Sequence, residues 1–185
     1  MTVNADLARI FGGADAVYLA PVGTKLPTTI GEALDASFQD TGWLHADGIT
    51  ETPTGSKSEL RGHQNTGVVR SRIESPGTQV KFVALEDKAL TREIRYDVKN
   101  AVTAEGVRTE RRGAGQRVSP RACVIDKFDT DDQTVKERTV IERLEIVPDG
   151  DRVYSNADIA GFGMLGEIIG EYTVFSTDLE SQLKP

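Results

Sequence analysis

Gly161-Phe-Gly-Met-Leu-Gly166 matches the GxGxxG spacing that cradles the pyrophosphate of a dinucleotide. That motif works when a buried strand delivers its glycines to a helix N-terminus whose free N–H groups face the phosphates. Here the motif follows "SNADIA" and precedes the β-like "EIIGEYTVF", and the 19 residues after its last glycine leave no room for a βαβ unit. The glycines are read as flexible joints between the last two strands. Asp129, Asp131 and Asp132 in "DTDDQ", with Asp149 and Asp151 in "PDGDR", suggest calcium ligation. A calcium loop needs a glycine at its sixth position and a glutamate at its twelfth. Those positions hold Thr134 and Val140 in one case, Tyr154 and Ala160 in the other, so these are turn acids.

His45 and His63 lack the spacing of a metal-binding helix, and no GxSxG elbow accompanies them; they read as surface histidines. Cys123 is the single cysteine, so the chain has no disulfide framework or CxxC pair, and "RACVID" reads as a strand with a buried thiol. Arg108, Arg111, Arg112 and Arg117 could meet phosphates or a partner's carboxylates, although charge runs of this length are usually solvated loops. No catalytic residue, cofactor or metal is expected.

The elements around these residues are mostly β. The chain has 185 residues, 38% apolar and 28% charged, which suits one globular domain. No run approaches the roughly 18–20 apolar residues of a membrane span, and the N-terminus has no basic start followed by an apolar core. Net charge is −7, unevenly spread: residues 140–185 carry 3 Lys/Arg against 9 Asp/Glu. An acidic balance argues against a sequence-reading nucleic-acid binder, while it suits a surface that DNA passes without sticking.

"AVYLA" (16–20) reads as a strand ended by Pro21, and 30–38 as one or two helical turns through Ile30, Ala33, Leu34 and Phe38. Trp43 and Leu44 are expected to be a buried pair. Residues 49–66 hold only two strongly apolar side chains and read as a long loop that cannot build its own core. A hairpin is expected over 67–86 with Ser75-Pro76-Gly77 at its turn, a short helix at about 86–95, and a polar basic loop over 101–117. Two arms flanking Thr130–Gln133 and a last strand in "GEYTVFSTDL" complete a mainly β fold, a sandwich or barrel of two sheets with one or two short helices.

"VYLAPVGTKLPTTIGEAL", then "GWLHADGITET", then a polar loop with "LRGHQN", then "TQVKFVALEDKALTREIRYD" follow one another over residues 13–98. In order and spacing this succession resembles the major tail (tail tube) proteins of long, non-contractile-tailed bacteriophages infecting actinobacteria. The resemblance implies a β-sandwich flanked by a helix, assembled into hexameric rings that stack into a tube whose lumen is a continuous β-barrel. It makes 1–185 one tail-tube domain, with an N-terminal arm at 1–13, an assembly loop at 49–66 and a C-terminal tail at 178–185.

By position, Ile49, Thr50, Glu51, Glu59, Leu60, Arg61, Gln64 and Asn65 become the residues that meet a neighbouring subunit or ring. "APVGTKLPTT" becomes an ordered connection at the subunit boundary, with Pro21 and Pro27 limiting the chain's freedom before assembly. Candidate acids for a lumen that repels phosphates are Glu74, Glu86, Glu137, Glu142 and Glu145. The implied partners are other copies of the chain, the tape-measure protein, the tail terminator and the tail-tip proteins, with no membrane insertion. The implied location is the virion tail, after assembly in the host cytoplasm. A terminator or head-tail connector subunit is the alternative within structural proteins; a small hydrolase or ligand-binding domain using either histidine is the alternative outside them.

Overall fold

A computed structural model describes residues 7–63 and 66–182. Along the chain run β1 (Ala16–Ala20), β2 (Gln39–Asp40), β3 (Thr50–Arg61), β4 (Val68–Ala84), α1 (Ala89–Arg95), β5 (Val98–Ala104) and β6 (Val107–Arg112). They are followed by β7 (Ser119–Phe128), β8 (Lys136–Pro148), β9 (Phe162–Ile168), β10 (Tyr172–Ser176) and α2 (Leu179–Gln182). The protein is mainly β, with a large antiparallel sheet in the order β2-β1-β7-β8-β9-β4-β3, β10 added beside β8, and a separate β5–β6 pair.

Strand β8 organises the large sheet. Along one edge it pairs with β7, while its other edge takes β10 over Glu137–Ile141 and β9 over Leu144–Pro148. Two residues of β8, Glu142 and Arg143, stand opposite Ala122 alone, and both are exposed. Such a bulge bends a strand and switches which parity faces inward. The inward set accordingly changes from Ile141 to Leu144 and Ile146, all fully buried. The bend divides the sheet into two wings, β2-β1-β7-β8-β10 and β8-β9-β4-β3, around one core. Residues 41–45 link the wings on the far side: Thr41 N donates to Val17 O (3.0 Å), His45 N to Val83 O (2.9 Å) and Leu85 N to Trp43 O (2.8 Å).

Alternation fills the space between the wings, with Val17 and Leu19, Val80, Phe82 and Ala84, Cys123 and Ile125, and Phe162, Met164 and Ile168 facing inward. Helix α1 adds Leu90 and Ile94, four apart on one face. Thr91, buried at the helix start, accepts from Lys88 N (3.0 Å) and lies 3.0 Å from the Glu86 and Lys88 carbonyls.

Several expectations are corrected. Residues 30–38 form turns rather than helix, because Glu32 accepts from Thr28 N (2.6 Å) and Oγ1 (2.8 Å), and Asp35 Oδ1 from Ser37 N (2.9 Å). Local side-chain bonds of this kind compete with helix. Leu44 packs against the core but Trp43 is 77% exposed, since neighbours in extended chain point opposite ways. Residues 50–61 are strand, and β4 runs straight through Ser75-Pro76-Gly77; the chain reverses at 62–67, where Gly62 N meets Gly67 O at 3.0 Å. The basic stretch within 101–117 is largely the β5–β6 hairpin.

The Gly161–Gly166 motif is no joint either. Most of it lies inside β9, where each glycine admits a close neighbour: a Cβ on Gly163 would fall 2.2 Å from Asp149 O, and one on Gly166 2.6 Å from the Leu144 side chain.

Candidate assembly interface

Strand β9 covers β4 only from Gln79 to Ala84, so outward from Gly77 the strands β3 and β4 pair with each other alone. The pairing continues from Thr54↔Gly77 to Arg61↔Val68, interrupted near Gly55, whose φ is 138°, and Ser75, whose φ is 50°. Ser75 and Pro76 fall outside the paired register there, so the missing proline N–H costs no ladder bond. At about 3.3 Å per residue the ribbon extends roughly 25 Å beyond the wing. Ser56–Arg61 and Val68–Glu74 are exposed except for the half-buried Ser58, with Leu60, Val68, Val69 and Ile73 presenting apolar surface.

The ribbon's charges bridge along its own faces: Lys57–Glu59 (2.9 Å), Glu59–Arg61 (3.1 Å) and Arg72–Glu74 (2.7 Å). Exposed pairs of this kind contribute tenths of a kcal/mol each. A two-stranded ribbon is at best marginally stable in water without packing on a face, and neither face of this one is covered within the subunit.

The predicted contact residues divide along this ribbon. Ile49 packs at the core rim, Thr50 pairs with Lys81, and Glu51 accepts from Tyr172 Oη (3.0 Å), so these anchor its base. Glu59, Leu60 and Arg61 stand near its far end. Gln64 and Asn65 lie outside the described residues.

The five candidate acids do not share one surface. Glu74 is on the ribbon, paired with Arg72. Glu86, in the β4–α1 connection, accepts from Lys88 Nζ (2.9 Å) and Trp43 N (3.0 Å), and these bonds hold its carboxyl below the usual range. Glu137 pairs with Lys127 at the start of β8, while Glu142 is exposed at the bulge. Glu145 bonds Arg143 (2.8 Å) and lies in one cross-strand row with Glu167 and Gln79 on the outer face of the second wing. Glu167 was not singled out from sequence; the alternation of β9 was the signal that places it outward.

Another unforeseen group is the buried pair in the first wing. Arg138 donates to both Asp126 oxygens (2.6 and 2.7 Å) and through Nη1 to the Glu32 carbonyl (2.6 Å). Its partner carboxylate pushes the guanidinium pKa up. This contact ties the Glu32 backbone to the outward side of the wing, where Val124 and Val140 are buried and Leu26, Pro27 and Thr28 stand beside Val140. The Pro- and Gly-rich opening segment is thus an ordered cover.

On the β5–β6 hairpin, Glu110 takes Arg108 (2.6 Å) and Arg112 (2.7 Å), and Arg112 stacks 3.7 Å from the Tyr96 ring centroid. Burial raises the Glu110 pKa, but the two arginines outweigh it and the carboxyl stays below its ordinary value. Arg117 lies 3.6 Å from Glu93. Val102 and Val107 are exposed, so this hairpin also presents an uncovered surface.

Among the described residues no cluster of His, Cys, Asp and Glu could hold a metal ion, and no helix is long and apolar enough to cross a membrane. His45 meets Asp47 at 3.0 Å near the surface, and Cys123 is fully buried with its thiol pKa pushed up by desolvation. A family model described as phage tail tube protein matches residues 1–173. Comparison with curated proteins gives no match.

Proposed function

The chain belongs to the phage tail tube protein family and is a structural component of the virion tail; on that premise we propose that it forms hexameric rings stacked into the conduit for DNA ejection in a long, non-contractile tail. The observation that carries this reading is the β3–β4 ribbon, which extends past its own sheet with both faces uncovered. Its backbone is already paired, so assembly has less chain entropy to overcome than a structureless loop would present. Head-to-tail contacts between two different surfaces of the subunit close a ring or propagate a stack.

In this reading Glu59, Leu60, Arg61, Gln64 and Asn65 contact a neighbouring subunit or ring, while Ile49, Thr50 and Glu51 fix the ribbon's departure angle. Glu142 and Glu145, with Glu74, Glu86 and Glu137, are the acids to test as lumen residues. A lumen rich in carboxylates lowers phosphate retention, since fewer cations displace counterions from passing DNA. The tape-measure protein fills the lumen before ejection, and terminator and tip proteins bound the stack, with assembly in the host cytoplasm.

The test is a chain in which residues 56–74 are replaced by a two-residue Asn-Gly turn. A folded subunit that no longer forms tubes is expected; tubes formed as readily as by the intact chain would overturn the ribbon's role.

A further inference from the structure

Beside the link between the wings lies a groove of ≈ 500 Å³ walled by Tyr18, Asp40, Trp43, His45 and Glu86, with Gly12–Ala16 along one side. Among the described residues its lining side chains include Asp15, Asp40 and Glu86 and no lysine or arginine; the adjacent Lys88 is engaged with Glu86 at 2.9 Å and with the Asp40 carbonyl at 3.1 Å. Trp43 offers an indole that is 77% exposed, held by Glu86 through its backbone N–H. An acidic groove beside a free aromatic face suits a guanidinium accompanied by apolar side chains.

The outer ribbon has that complement. Residues 56–74 carry Lys57, Arg61, Arg70 and Arg72 against Glu59 and Glu74, a balance of +2, on a chain whose total is −7. Arg70 makes no hydrogen bond or ion pair among the described residues, and it stands opposite Leu60, with the 75%-exposed Val69 next to it. A ribbon extending roughly 25 Å outward points away from its own domain, so the groove it can meet belongs to another copy.

We infer that the Trp43 groove receives the basic outer end of the β3–β4 ribbon of a second copy of this chain, with Arg70 against Trp43 and the groove acids and its cross-strand neighbour Leu60 on the indole. The inference rests on the tail-tube reading and specifies which two surfaces that assembly joins. Removing Trp43 takes away the aromatic platform while leaving the core intact, and Arg70→Glu puts like charges together.

Two chains, one carrying Leu60→Cys and the other Ala46→Cys, are mixed with intact chain under assembly conditions and oxidised; Ala46 lines the groove, and the native Cys123 is buried. Disulfide-linked dimers between the two variants are expected only after assembly, and Trp43→Ala should raise the concentration needed for tubes about tenfold. Thermal melting of the unassembled Trp43→Ala chain should match that of the intact one. Tubes that form without the cross-link and tolerate Trp43→Ala and Arg70→Glu would overturn the groove assignment and leave the tube reading intact. Intact chain that never assembles would count against the tube reading, and the groove assignment would fall with it.

Discussion

At the residue scale, Asp126 and Arg138 show how one buried pair fixes a whole segment. Arg138 satisfies both carboxylate oxygens and also reaches the Glu32 carbonyl, so the cover over Val124 and Val140 depends on it. Asp126→Ala leaves a guanidinium unpaired in a largely buried site, and loss of about 3 kcal/mol is expected. Thermal unfolding of the unassembled chain checks this, as a fall in Tm of roughly 6–12 °C. No change would mean that residues 21–38 are held by something else. Carboxylates held by local donors add a pH dependence with a definite sign. Backbone N–H and hydroxyl donors lower the pKa of Glu32, Asp35, Asp129 and Asp132 in the folded chain. Their stabilisation is therefore present above the unfolded values of 3.8 and 4.5 and is lost as pH falls through the lower folded values. Urea midpoints should be steady from pH 7 to about 5 and decline below about 4.5; a decline beginning near neutrality would contradict this.

The elements reveal where sequence was legible and where it was not. Strands with one face on the core could be read: β1, the β7–β8 pair, the inner part of β4 and β10 all carry alternation or β-branched residues, and Leu90 and Ile94 marked α1. The outer ribbon could not, because a strand with both faces in water has no reason to alternate, so Thr50–Arg61 has the composition of a loop. Ser75-Pro76-Gly77 has turn chemistry, yet β3 supplies a partner beyond it and the same residues become a bulge in a continuing strand. Trp43 was expected inside on hydrophobicity alone, but its neighbour Leu44 takes the inward direction. The poverty of residues 49–66 in apolar side chains marked the segment as one without a core of its own, whereas the pairing of Arg138 with Asp126 joins strands and could not be read along the chain. The glycines of β9 give an element-scale prediction. Gly163→Ala places a methyl against the Asp149 carbonyl, which Arg95 also holds at 2.9 Å, and should destabilise by about 2–3 kcal/mol in denaturant unfolding. A neutral result would mean that the 149–163 connection shifts freely.

For the whole molecule, a closed pair of wings around one core carries two hairpins that present exposed apolar surface, the outer β3–β4 ribbon with both faces in water and β5–β6 with Val102 and Val107 exposed. The domain supplies rigidity, while the hairpins supply surface that the subunit alone leaves in water. The chain belongs to the tail tube family, and in the proposed assembly these hairpins supply one of the two different complementary faces that a tube needs on every copy. In the proposed conduit the overall charge of −7 limits retention of DNA by like-charge repulsion, without any sequence preference. The most direct measurement is negative-stain electron microscopy of the purified chain across a concentration series, with light scattering for mass in solution. Stacked rings with a central hole, growing with concentration, are the predicted result; a chain that stays monomeric at every concentration would contradict the account.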